Sequence, residues 1–395
     1  MRNILFITWD GAQTSYMEGL FLPIFNEIQK DNSYQFHIIQ FTWASKERTA
    51  ITKRKARECN IKYSAKKIYK KPNALIGSLF TMIEGVSFIK KYLQNNKIDI
   101  IMPRSTMPSI MVNRLKNIDG KIIFDADGLP IEERIDFSGL KKSSLIYNIY
   151  KREERSMLRK ADVVITRSKK AIDFHLGSIG SSYQDKFFVV VNGIDTQFFI
   201  PDGDQAQKLR KDLNIKKDSK VFIYSGSLGP QYGFEIMINI FKSYLEINHN
   251  AVFLILTAHV DFAKERIPVD LQDKIVLKSV PFAAIPKYLS VGDIAFAIRD
   301  PKPSMQGVAP IKLGEYLLMG LPTIASLGIG DTEMILKDKD FCLLYDHDAT
   351  DSAEKALVFI EKAEAIDKSQ VQKFATDHFS LEISAASYNK ALNYC

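Results

Sequence analysis

Cysteine is scarce in this chain of 395 residues: Cys59, Cys342 and Cys395 stand far apart, and no C-x-x-C pair occurs. That excludes a disulfide framework and a cysteine zinc site. No apolar run approaches the roughly 18 residues needed to span a bilayer, and Met1-Arg2-Asn3 leads directly into strand-like sequence rather than a signal peptide. The expectation is a cytoplasmic protein, soluble or peripheral at the inner face of the cell membrane. Histidine is rare as well, with six in all, and Asp125-Ala126-Asp127 is the sole D-x-D beside a suitable strand. Repeats and low-complexity tracts are missing too. Acidic side chains nearly vanish between Lys46 and Lys71, where Glu47 and Glu58 face Lys46, Arg48, Lys53, Arg54, Lys55, Arg57, Lys62, Lys66, Lys67, Lys70 and Lys71.

What is present is an ordinary globular composition, 46% hydrophobic and 25% charged, in a chain long enough for two cores. The formal net charge of +8 is uneven: residues 1–200 carry 32 Lys and Arg against 20 Asp and Glu, and the remainder carries 22 against 26. The basic run reads either as a solvated loop or as one edge of a binding surface. It precedes Ala74–Leu93, apolar at helical spacing and closed by Lys90 and Lys91, a pattern suited to an anionic membrane surface. No groove-reading motif accompanies the charge, so nucleic acid is not expected as a partner.

Strand-length apolar runs alternate with helical patterns. In the first half Ile4–Thr8, Phe36–Phe41, Ile98–Met102, Ile122–Phe124, Val163–Thr166 and Phe187–Val191 read as strands, with helices near Met17–Gln29, Ala74–Leu93, Ser143–Arg159 and Lys169–Leu176. The alternation restarts with strands near Lys220–Tyr224, Val252–Leu256, Ile275–Leu277, Ile294–Ala297 and Thr323–Ala325, and helices at Phe234–Ile247, Ala283–Leu289, Ile311–Leu318 and Ala353–Ala363. Such alternation predicts two doubly wound parallel sheets. Their ligands lie at strand carboxyl ends. In the first half those ends carry Trp9-Asp10-Gly11, Pro103-Arg104-Ser105 and Asp125-Ala126-Asp127-Gly128; Gly11 lets backbone approach a ligand, while Asp10 or Ser105 reads equally as a helix cap.

The segment Ser304–Ser326, SMQGVAPIKLGEYLLMGLPTIAS, reads as loop, helix and strand with an anion site. Pro310 suits the first turn of the helix, and Gly320 with Pro322 ends it. Free amides around Ile311, the helix dipole and Lys312 together suit a phosphate, and Glu315, on the same helix face, suits sugar hydroxyls such as a ribose pair. A plain Lys312–Glu315 pair on a surface helix accounts for the same spacing.

This segment resembles the donor-site signature of retaining nucleotide-sugar glycosyltransferases of GT-B fold, family four. VVVNGIDTQFFIP (Val189–Pro201) is similar to that family's interdomain linker, and YSGSLGPQYG (Tyr224–Gly233) to its donor-domain glycine loop. The resemblance implies an α/β, GT-B architecture of two Rossmann-like doubly wound parallel-sheet domains facing a central cleft. It implies an acceptor domain of residues 1–197 with the C-terminal helix 377–395, and a nucleotide-sugar domain of residues 198–376. Asn192-Gly193, a turn pair by type, would serve there as hinge. The implied donor set is Gly11, Ser225, Gly226, Ser227, Arg299, Gly307, Val308, Ile311, Lys312 and Glu315. Val280, Pro281 and Phe282 are placed against the base, or equally in the core. Arg104, Asp127 and Lys312 are implied near the reacting centre, and no cofactor or metal is expected.

Several positions depart from the family pattern. Ser227 and Tyr232 stand where its glycine loop carries Arg and Lys, Gly307 where it carries the first of two glutamates eight positions apart, and Asp127 where it often has His. An altered sugar contact is implied, for which an N-acetylated amino or deoxy sugar is the expectation, and Asp127 becomes a sugar or acceptor contact. The S-P-x-K-L-G-E-Y-L variant resembles transferases of bacterial surface polysaccharide or lipopolysaccharide assembly, with a UDP-linked donor and a lipid-linked saccharide acceptor. A nucleotide-sugar epimerase of GT-B-like fold and a non-catalytic nucleotide-sugar-binding scaffold are the alternatives.

Overall fold

The structure, a computed structural model, describes residues 1–11, 16–71 and 73–395. It divides the chain into two compact units: Met1–Gly193 with Gln306–Val308 and Leu381–Cys395, and Ile194–Met305 with Ala309–Ser380.

The first unit is built on seven parallel strands, β1 (Arg2–Asp10), β2 (Tyr34–Thr42), β3 (Lys62–Lys67), β4 (Ile100–Pro103), β5 (Lys121–Asp127), β6 (Val163–Thr166) and β7 (Phe187–Val189). Their order is β3-β2-β1-β4-β5-β6-β7. The central strands are near-continuous apolar runs, as a sheet covered on both faces requires; Ile4, Leu5, Phe6 and Ile7 are all fully buried. The C-terminal helix Leu381–Tyr394 belongs to this unit, where the Tyr388 ring meets Phe25 edge-on at 6.4 Å.

The second unit repeats the plan with six parallel strands, β8 (Val221–Ser225), β9 (Val252–Leu256), β10 (Ile275–Lys278), β11 (Ile294–Ala297), β12 (Thr323–Ser326) and β13 (Cys342–Tyr345), ordered β10-β9-β8-β11-β12-β13. Alternation along β8 feeds two cores. Val221 and Ile223 pack with Leu254, Ala295 and Leu317, while Phe222 and Tyr224 pack with Phe241, Phe253 and Phe296 on the other face. Both sheets therefore reverse their winding beside their first strand, which is the Rossmann topology, and each has its switch point at the carboxyl ends of β1 and β4 or β8 and β11.

The basic run is not a loop. Lys46–Glu58 is a helix that Ser45 caps by accepting from the Arg48 amide, and Lys62–Lys67 is the edge strand β3. Neither has an apolar stripe to reveal it, since the helix buries only Thr52 and Ala56, and charged residues on an edge strand block pairing with other chains. The turn expected at Asn192-Gly193 falls at 196–198 instead. Gly193 serves close packing: a Cβ there would meet Ser384 Cβ at 2.6 Å and Ile24 Cγ1 at 3.1 Å.

Candidate functional site

In the second unit the groups gather at the switch point. β8 ends at Ser225, and Gly226 turns the chain with φ of 142°, a region that favours glycine. The Lys312 side chain lies over that turn, so close that a Cβ on Gly226 would sit 2.1 Å from its Nζ. Lys312 comes from the helix Ile311–Leu318, which starts directly after Pro310. That helix closes at Gly320, φ 69°, with the Leu321 amide donating to the Tyr316 carbonyl at 3.0 Å. Tyr316, one residue beyond Glu315, fastens the helix to the glycine loop: the Ser225 amide donates to its hydroxyl at 2.8 Å, and that hydroxyl donates to the Ser225 carbonyl at 3.2 Å.

Lys312 Nζ donates to the Tyr224 hydroxyl at 2.8 Å and lies 4.4 Å from the Tyr224 ring centroid and 4.5 Å from that of Tyr232. The Tyr224 hydroxyl in turn donates to the Ser227 carbonyl. Arg299, just beyond β11, lies 4.8 Å from the Tyr232 centroid, and its amide donates to Ser326 Oγ at 2.9 Å. The Asp300 amide donates to the Gln231 carbonyl at 3.1 Å, tying the loop after β11 to the glycine loop.

The plain Lys312–Glu315 surface pair is not what forms. Among the described residues no ion pair joins the two, and both side chains are partly buried. Burial pushes the Lys312 ammonium well below the usual lysine range, Arg299 adds to the depression, and Glu315 opposes it. Burial also raises the Glu315 carboxyl to about 7, against the pull of Lys312. A cation and a carboxylate, each poorly solvated and not joined to each other, have capacity for a ligand.

The residues expected against the base divide. The Phe282 ring stacks on Phe198 at 5.1 Å and meets Phe199 edge-on at 6.3 Å, so it is committed to the protein's own packing, and Val280 packs against the same core. Pro281 instead lines a cavity of about 470 Å³ with Phe198, Ile200, Gln205 and Lys287.

In the first unit the carboxyl ends of β1, β4, β5 and β6 bring charges of both signs together. Asp125, fully buried, is held by Arg167 Nη2 at 2.9 Å and approached by Arg104 Nε at 3.7 Å. Asp127 meets Arg104 Nη2 at 2.6 Å and Arg167 Nε at 3.8 Å. Asp10, also buried, accepts from Thr8 Oγ1 at 3.0 Å and Gln40 Nε2 at 2.8 Å; burial raises its carboxyl, which Arg104 opposes. The residues that Asp10 would cap lie outside the described ones, and Ser105 makes no side-chain cap bond to the helix Thr106–Asn113. Ser105 and Asp127 hold positive φ, 64° and 63°, costly for residues with a Cβ. Gly11 follows β1 at this edge and is partly buried.

Arg167 was missed by sequence reasoning, although it follows β6 as Arg104 follows β4; a rule taking polar residues after every strand finds it. Tyr388, whose ring lies 5.8 Å from the Arg167 guanidinium, has no such local signal.

Gly307 and Val308 cluster with the first unit. A Cβ on Gly307 would meet Leu129 N and Cγ at 2.8 Å and Gly128 C at 2.9 Å, so backbone occupies the space a side chain needs. Ser168 Oγ donates to the adjoining Gln306 carbonyl at 2.6 Å.

No family model matches the chain, and no curated protein sequence matches it. Solved structures do share its fold. Anabaena Alr3699/HepE, in complex with UDP and glucose, matches with a TM-score of 0.72 at 15% identity over 100% of both chains. The apo lipopolysaccharide outer core galactosyltransferase WaaB matches with 0.65 at 14% over 99% of each. UDP-GlcNAc 2-epimerase from Neisseria meningitidis, bound to UDP-GlcNAc, matches with 0.60 at 12% over 100% of both. The fold of this chain is GT-B, with two Rossmann-like parallel-sheet units.

Proposed function

We propose that this protein is a metal-independent, retaining glycosyltransferase that moves a sugar from a UDP-linked donor to a lipid-linked saccharide in surface polysaccharide or lipopolysaccharide synthesis. The second unit would hold the donor and the first the acceptor. The observation that carries the reading is Lys312 lying over Gly226 at the β8–β11 switch point, with no carboxylate ion-paired to it among the described residues. The likeness in fold to a protein that binds UDP and glucose and to a galactosyltransferase supports it.

In the proposed reaction the bond between the anomeric carbon and the diphosphate oxygen breaks, the acceptor oxygen bonds to that carbon, and the acceptor proton passes to the departing diphosphate. Fixed positive charge must meet the growing negative charge; Lys312, Arg299 and the amides of Ile311 and Ser227 are the groups for it, the Ser225 amide being engaged by the Tyr316 hydroxyl. Metal independence rests on the D-x-D being engaged already, since Arg104 and Arg167 hold both of its carboxylates. The choice of an N-acetylated amino or deoxy sugar rests on Gly307, where backbone packing leaves no room for the family's first glutamate.

Peripheral membrane binding rests on the helix Ala74–Asn95, whose Ile76, Leu79, Phe80 and Ile83 are exposed beside Lys66, Lys67, Lys70 and Lys71. No helix among the described residues is long and apolar enough to cross a membrane. Sedimentation with anionic liposomes should weaken when lysines 62–71 are neutralised, and unchanged sedimentation removes this part.

The site itself is tested by thermal stabilisation against nucleotides and nucleotide sugars with and without magnesium. Ligand at about 100 times its Kd adds roughly 2.7 kcal/mol, and Lys312→Ala should abolish the shift. A flat panel defeats the donor site. The filled position at Gly307 also favours a second reading, a nucleotide-sugar-binding scaffold, which binds donor without transfer or hydrolysis; an epimerase interconverts the sugar with no acceptor present.

A further inference from the structure

Tyr232 stands where the resemblance implies a loop lysine, and two cations share its ring: Lys312 Nζ at 4.5 Å and Arg299 Cζ at 4.8 Å from the centroid. The groups facing Lys312 are Tyr224 from β8, Tyr232 from the glycine loop, Arg299 from beyond β11, and Glu315 from its own helix. Among the described residues no carboxylate forms an ion pair with Lys312 or Arg299. Two like charges gathered beside partly buried atoms repel each other, and the negative face of an aromatic ring is what offsets the repulsion here.

We propose that Tyr232 is a positioning residue whose ring holds Lys312 and Arg299 together as a two-cation clamp for a diphosphate. The proposal rests on the reading of the second unit as a nucleotide-sugar site. A diphosphate carries charge on two phosphorus centres, so a pair of cations set in advance meets both without reorganising. The family's loop Arg and Lys are replaced by Ser227 and Tyr232. The clamp restores the two lost charges, one from beyond β11 and one from the helix Ile311–Leu318, with the ring of Tyr232 holding them together.

The test uses the full-length chain, with UDP and inorganic pyrophosphate as probes, titrated calorimetrically across pH. Tyr232→Phe keeps the ring and should retain binding. Tyr232→Leu removes the ring and should weaken binding of both probes by about 5- to 30-fold. It should also move the alkaline loss of binding to lower pH, because Lys312 then holds its proton less well. Arg299→Gln reads the clamp without touching the ring; it should weaken binding similarly, and the double variant should lose less than the product of the two. Ligand-free melting checks that each variant is folded. Wild-type binding by both Tyr232→Leu and Arg299→Gln overturns the clamp, as does Tyr232→Phe binding as weakly as Tyr232→Leu. If Lys312→Ala still loses binding in that event, the donor site stands and only the clamp falls; if Lys312→Ala binds as wild type, the donor site falls with it.

Discussion

Replacing Glu315 by Gln should stabilise the ligand-free protein at neutral to alkaline pH and leave it nearly unchanged in mild acid. The Glu315 carboxyl titrates near 4.5 in an unfolded chain and near 7 in the fold, raised chiefly by burial. Between those values the folded state keeps the proton that the unfolded chain has released. The stability contribution of the neutral carboxyl is therefore present below about 4.5 and lost as pH rises to about 7. The full shift corresponds to about 3 kcal/mol. Glu315 keeps some contact with solvent, and screening reduces the expected effect to about 1–2 kcal/mol. Glutamine has the same shape and no charge to desolvate, so it should not show this loss. For a unit of this size that is about 3–6 °C in melting temperature at about pH 8, with little difference at about pH 5. The assay is thermal unfolding of both proteins across that range. A difference of equal size at both ends would show that the Glu315 carboxyl is not held in a poorly solvated place.

Further outcomes follow from contacts elsewhere in the two units. Because burial depresses the Lys312 ammonium and a bound diphosphate opposes that, UDP binding should be linked to proton uptake as pH rises through the Lys312 titration, seen as a calorimetric enthalpy that varies with the buffer's ionisation enthalpy; no variation among buffers at any pH counts against it. Gly307→Glu, which restores the residue type of the family pattern, should cost about 1–3 kcal/mol by forcing Leu129 and Gly128 apart. An unchanged melting temperature would show that the space is open. Arg167→Met should cost about 3–5 kcal/mol by leaving Asp125 short of a partner, with part of the loss recovered in acid as Asp125 takes a proton. Removing Arg152, which is exposed and pairs with Glu153 at 3.5 Å, should change little by comparison in the same melting assay.

The glycine loop and the helix that carries Lys312 were legible because their signals are local: a strand-length apolar run before Ser225, Gly226 at the turn, Pro310 and Gly320 bracketing one helix. The two parallel sheets were legible for a related reason, since strands covered on both faces must be apolar along their whole length. The helix Lys46–Glu58 and the strand Lys62–Lys67 were not, because their stability comes from neighbours rather than from an apolar stripe of their own. Local patterns along the chain were enough for the sheet count, the switch-point loops and the chemistry each could offer. Which offers were taken depended on contacts between distant segments. Phe282 went to a stack with Phe198 and Phe199, Asp125 and Asp127 to Arg104 and Arg167, and Gly307 to backbone packing. Lys312 turned from Glu315 to the rings of Tyr224 and Tyr232. Spacing along a chain fixes which groups share a face, but burial and the partners brought by distant segments fix which of them is left with charge to spare.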